Sequence, residues 1–265
     1  MNVFLHELKA HRKSTIIWTL SLAGMIIIFF SLFPAFSKDI EQVKNMMEGF
    51  PEAIRSGMGI SLNNLGSILG YYAFPFTFIL LIGAIQAMSL GTSIVSKEIR
   101  DNTADFLLTK PITRVKILTA KILSIITSLA ITNILYLLVA TIIAYSVKNG
   151  DFSLNLFIMI SFSLFLVQLI FMSLGIIFSV LLPRIKSVIP ISLATVFAFY
   201  FLSFLSTNTA DDKLQYFTPF KYFDPVHIVE TGSYELPFLL ITVIVITVSI
   251  TVSYLIYIRK DIHTV

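Results

Sequence analysis

The sequence predicts an all-α integral membrane fold of six transmembrane helices, and three observations carry that expectation. Hydrophobic residues make up 56% of the 265 and charged residues only 13%, about half the charged share of a soluble domain. Charge is also confined. The runs Ser14–Ser37, Ser56–Ser96, Ile122–Val147, Phe152–Pro183, Ser187–Ala210 and Leu236–Ile258 contain no Asp, Glu, Lys or Arg, and each exceeds the ~20 helical residues that cross a ~30 Å hydrocarbon core. Finally, with the N-terminus inside, thirteen of the nineteen Lys and Arg fall on the inner side and six on the outer. The positive-inside bias then makes both termini cytoplasmic.

Taken in order, residues 1–13 (MNVFLHELKAHRK) place Phe4, Leu5 and Leu8 on one helical face and Glu7, Lys9 and Arg12 elsewhere. That pattern suits a short helix lying in the membrane interface, the alternative being a plain polar tail. The first span is expected near 14–34. It is too long for the apolar core of a cleavable signal and lacks a small-x-small site after it. An outer segment, 34–66, carries acids and apolar residues at partly helical spacing. It is expected to cap the helix bundle, or else to shape an exit path.

The second span is expected at 68–95, the third at 119–146, the fourth at 154–182 and the fifth at 188–206. The second and fourth come from runs long enough to split, but neither run has a polar turn in its middle. Pro75 and Pro190 should kink their helices. Gly83, Ala87 and Gly91 recur every four residues, which makes a face for close helix packing, within one chain or between two copies. A second outer segment, 206–235, is rich in aromatics and proline, and the sixth span follows at 236–258. The whole, 1–265, reads as a single transmembrane domain.

Several chemistries are excluded. There is no cysteine, hence no disulfide framework, thiolate nucleophile or Cys-based metal site. A net charge of +4 is too small to imply nucleic acid. The uncharged runs hold no base beside their Ser and Thr, which leaves a membrane enzyme without catalytic groups. An ion-driven carrier usually needs intramembrane ionisable residues, and these runs have none. No GxxxxGK[ST] occurs, so the chain does not bind ATP in that way, and no cofactor is expected in it. Gln86, Asn133 and Gln168 are the strongest polar groups in the runs. Each is expected to satisfy a helix–helix hydrogen bond rather than to contact cargo.

One segment departs from this apolar background: KEIRDNTADFLLTKPITRVKILTAK, Lys97–Lys121, between spans two and three. Lys97, Asp101 and Asp105 share one helical face, and Ile99, Thr103, Phe106 and Leu107 make an adjacent apolar one. Pro111 should end that helix and Thr113 should cap the next. A loop that only obeyed the positive-inside bias would not need Glu98, Asp101, Phe106, Leu107 and Leu108. A surface for a soluble partner would.

The segment resembles the signature of type-2 ABC exporter permeases, the membrane subunits of ATP-binding-cassette exporters with separate ATPases. Their first cytoplasmic loop carries an acid, a Gly-Thr pair, a Leu-Leu, a Pro-[Val/Ile]-[Ser/Thr]-Arg step and a Lys. Here these are Glu98, Thr103, Leu107–Leu108, Pro111–Ile112–Thr113–Arg114 and Lys121. Asn102 stands where the pattern has Gly; Asn too tolerates unusual backbone angles. The N-terminal FLHELKAHRKSTIIWTL is similar to the start of such permeases. The resemblance implies a coupling helix that docks on an ABC ATPase, with Glu98, Arg100, Asp101, Thr103, Phe106, Leu107, Leu108, Pro111, Arg114 and Lys121 as its contact set.

It further implies ATP and Mg bound by the partner ATPase and a second permease, identical or related. The expected setting is a bacterial plasma membrane. The expected cargo is an antimicrobial peptide, a drug or another amphipathic molecule. The competing readings are a membrane protein of assembly or signalling and an ion-driven secondary carrier.

Overall fold

The computed structural model describes residues 3–62, 64–100, 112–182, 185–208 and 212–259; at 52, 53, 56, 97–100, 207, 208 and 212 it describes the backbone alone. Among the described residues the elements are all helical. They are α1 Val3–Lys38, α2 Ile40–Glu48, α3 Glu52–Gly57, α4 Ile68–Arg100, α5 Arg114–Val147, α6 Leu154–Leu181, α7 Val188–Asn208, 3-10 turns at Asp212–Phe217 and Pro219–Lys221, α8 Pro225–Thr231 and α9 Leu236–Arg259. Six of them, α1, α4, α5, α6, α7 and α9, are long and apolar enough to cross a membrane. The two long uncharged runs each give one spanning helix.

The pair α4 and α6 forms the centre. About two thirds of the spanning window of each is buried, against 17% for α7 and α9. The other spans pack around this pair, α5 alongside α1, α7 against α4 and α9 against α6. The reason is backbone approach. A Cβ at Gly91 would stand 2.3 Å from the Met172 carbonyl oxygen, one at Gly175 would stand 2.7 Å from that of Met88, and one at Gly83 would lie 2.5 Å from Leu164 Cδ1. The small-residue face of α4 is therefore the seat of α6, within one chain. Such contact replaces the hydrophobic drive that lipid cannot supply between helices.

Two expectations meet a different structure. Residues 3–13 are not a separate helix: they run unbroken into α1, which has 36 residues. At ~1.5 Å per residue it is ~54 Å long, well beyond a ~30 Å core. No Gly or Pro interrupts it before Gly24, and the Thr15 hydroxyl bonds back to the His11 carbonyl at 3.1 Å. Thr113 caps α5 as expected, its side chain accepting from the Lys116 amide at 3.4 Å, so the helix begins at Arg114. Pro190 is the third residue of α7, inside the first turn, where proline is tolerated and starts a helix rather than bending it. Pro75 lies within α4 as expected.

At the end of the bundle away from residue 3, the segment after α7 packs down on the spans. Phe220 sits 5.2 Å from the Phe171 ring and 5.7 Å from Tyr200, and Tyr222 stacks on Phe238 at 5.1 Å. The Tyr234 hydroxyl donates to the Met159 carbonyl at 2.6 Å, and burial pushes its pKa up to about 12. On the other outer segment, Val43 and Met47 of α2 join Phe29, Phe36, Tyr71 and Phe74 around a groove of about 240 Å³.

The helix crossing can be tested by size. Gly91→Val and Gly175→Val should each lower stability by about 1–3 kcal/mol through overpacking. Gly24, with nothing within 4 Å of its absent Cβ, should accept Ala with a gain of about 0.5–1 kcal/mol. Thermal unfolding of the purified protein in detergent reads both.

Candidate functional site

The site is a set of polar side chains threaded through an apolar bundle. On α5, Lys121, Ser124, Ser128 and Thr132 recur at helical spacing and are all buried. The serines turn their hydroxyls back on their own helix, Ser124 to the Lys121 carbonyl at 2.7 Å and Ser128 to the Ser124 carbonyl at 3.0 Å. Lys121 and Thr132 reach neighbouring helices instead.

Lys121 is only 4% exposed, and among the described residues it is the only charged side chain that is buried. Its Nζ donates to the Ile94 carbonyl of α4 at 2.8 Å and lies 3.5 Å from Glu7 Oε1 of α1, itself 14% exposed. His11 Nε2 stands 3.9 Å from the other Glu7 oxygen. A buried ammonium is tolerable only with such partners, since desolvating it alone costs several kcal/mol. Next to Ile94, the amides of Val95 and Ser96 donate to Ser179 Oγ of α6 at 2.9 and 3.1 Å. The end of α4 is thus tied to α1, α5 and α6.

Midway along the bundle a second cluster joins the same four helices. Thr19 Oγ1 of α1 and Gln86 Nε2 of α4 each donate to Thr132 Oγ1 at 3.1 Å. Gln168 Nε2 of α6 donates to Gln86 Oε1 at 3.1 Å, and Asn133 Nδ2 donates to Gln168 Oε1 at 2.5 Å. Tyr72 bonds both Tyr136 and Ser161. Each of the three amides singled out in the sequence therefore makes a helix–helix hydrogen bond, and the structure shows that they make it with one another. The carbonyl oxygen of Asn133 has no partner among the described residues. At the far end, Asn149 Nδ2 donates to Ser37 Oγ.

The pairs Glu7–Lys121, Thr19–Thr132 and Ser37–Asn149 are separated by 114, 113 and 112 residues. So near-constant an offset means that α1 and α5 run parallel and in register over most of their length.

Of the expected contact set, Glu98 and Arg100 fall in the last turn of α4 by backbone. Asp101, Thr103, Phe106, Leu107, Leu108 and Pro111 lie outside the described residues. Arg114 begins α5 and its Nη1 donates to the Ile258 carbonyl of α9 at 3.3 Å. Lys121 turns inward, to Glu7 and Ile94. Sequence reading missed Glu7 as its partner. A signal existed: Glu7 is the only acid before Asp39, and Lys121 stands about two turns inside a capped apolar helix.

The family profile described as ABC-2 family transporter protein matches residues 1–262. The chain belongs to the ABC-2 transporter family. No curated protein matches it significantly. The match covers all six spans and the tie between α1, α4 and α5, so this ABC-2 family protein is the permease type of subunit, a membrane component.

Each cluster should carry stability. Lys121→Met strands a carboxylate that can still reach water, so about 1–3 kcal/mol should be lost, less than the 3–5 kcal/mol of a fully buried pair. Gln168→Leu removes bonds to Gln86 and Asn133 and should cost about 1 kcal/mol, near the usual value of an interhelical bond in a membrane. Thermal unfolding of each variant beside wild type gives both numbers.

Proposed function

We propose that this permease forms the membrane path of an ATP-binding-cassette exporter and is driven by a separate ABC ATPase that docks on residues 97–113. The family match over residues 1–262 supports it, joined to a segment between two spans that carries charge, an apolar stripe and a proline together on the side richer in Lys and Arg. The chain has no Gly-rich phosphate loop of its own, so ATP and Mg belong to the partner. Docking through Phe106 and Leu107 contributes more than any single exposed ion pair there, since such pairs are worth only about 0–1 kcal/mol.

In this reading the protein sits in a bacterial plasma membrane with both termini cytoplasmic, and a second permease, identical or related, completes the path. The cargo is an amphipathic molecule of the antimicrobial-peptide or drug type, in keeping with spans that offer apolar and aromatic surface and little charge.

Co-purification tests the docking. A tagged chain co-expressed with the ATPase encoded beside it should retain that ATPase in detergent, and Phe106→Asp or Leu107→Asp should release it while the permease stays folded. Retention by both variants removes the docking surface, and no retention by wild type removes the energy source. Topology has its own check. Asn102→Cys in this otherwise cysteine-free chain should stay unlabelled by an impermeant thiol reagent in intact cells and label after permeabilisation.

A further inference from the structure

Lys121 closes the base of the proposed docking segment. Ile94 lies six residues before the end of α4 and Lys121 seven residues into α5, each ~10 Å from its helix end. The 2.8 Å bond from Nζ to the Ile94 carbonyl therefore fixes the spacing of the two helices that enter and leave residues 101–113. The same ammonium faces Glu7 on the part of α1 that overhangs the spanning length.

Stability alone does not account for a charge here. Apolar side chains of similar volume often stabilise a buried site as well as an ion pair does. A charged contact supplies direction and register, and α1 needs both. Its packing is one-sided: Leu22, Ile26, Phe30 and Phe33 are buried while Ile16, Ile17, Leu20 and Ile28 face outward, and polar pairs set its register on α5 at both ends and in the middle. We propose that Lys121 and Glu7 are positioning residues of the coupling step. Lys121 keeps the helices flanking the docking segment at one spacing through the Ile94 carbonyl, and Glu7 passes their displacement to α1. The two contacts divide the work: the bond to Ile94 joins α4 to α5, and the contact with Glu7 brings in α1. This rests on the ATPase docking at residues 97–113.

The absence of cysteine makes the test direct. Leu5→Cys on α1 and Leu181→Cys at the end of α6, both more than half exposed, carry spin labels. Their separation is measured by pulsed electron resonance in the complex with the co-expressed ATPase, nucleotide-free and trapped with ADP and vanadate. Wild type should show a shift on trapping. Glu7→Gln removes the carboxylate and leaves the Ile94 carbonyl in place; thermal unfolding in detergent checks that the variant is folded, and it should lose the shift while the ATPase is still retained and still trapped. Lys121→Met should lose it as well. A wild-type shift that persists unchanged in Glu7→Gln overturns the proposal, as does a trapped wild-type complex with no shift. Failure of wild type to retain the ATPase strikes the exporter reading itself, a result distinct from either of those.

Discussion

A polar atom inside a bilayer has no water to fall back on, and nearly every feature of this protein follows from that constraint. Backbone amides and carbonyls must be paired within the segment, so the spans are helices. Hydroxyls of Ser124, Ser128, Ser161 and Ser173 fold back onto carbonyls of their own helices. Groups too large to do so, Gln86, Asn133 and Gln168, must find one another. Lys121 is the extreme case, since it brings a full charge and so requires a carboxylate as well as a carbonyl. Because these demands can be met only across helices, the polar residues decide which helices are neighbours and at what register.

Glycine does the complementary work. Where α4 meets α6, Gly91 and Gly175 let the two backbones touch, and the close approach lets dispersion replace the hydrophobic effect as the attractive term. That contact is close and central. The partners around it differ in kind. Helix α1 buries one face, with Leu22, Ile26, Phe30 and Phe33 inside, and is set in register on α5 by polar pairs, whereas α7 and α9 present most of their apolar surface outward.

The sequence made some of this legible and hid the rest for identifiable reasons. Span number followed from the uncharged runs, since hydrocarbon thickness leaves little choice of length. Thr113 as a cap and Gly83, Ala87 and Gly91 as a packing face were readable because each acts through local spacing. The continuity of residues 3–13 with α1 was not, because an amphipathic start is compatible with a helix lying in the interface or projecting from a span. Nor was the direction of Lys121. A lysine just after a loop motif reads as part of that motif, and only the approach of α1 brings Glu7 within reach.

By itself, then, the amino-acid sequence determined how many times the chain crosses the membrane, which residues cap its helices and which stretch departs from the apolar background. These depend on length, composition and near neighbours along the chain. The tertiary structure alone decided that α4 and α6 are the centre, that α1 and α5 run in register, and that Glu7, Ile94 and Lys121 meet. Those contacts join residues 27 and 114 positions apart. Contacts at such separation are set by how helices pack against one another, which no local pattern encodes.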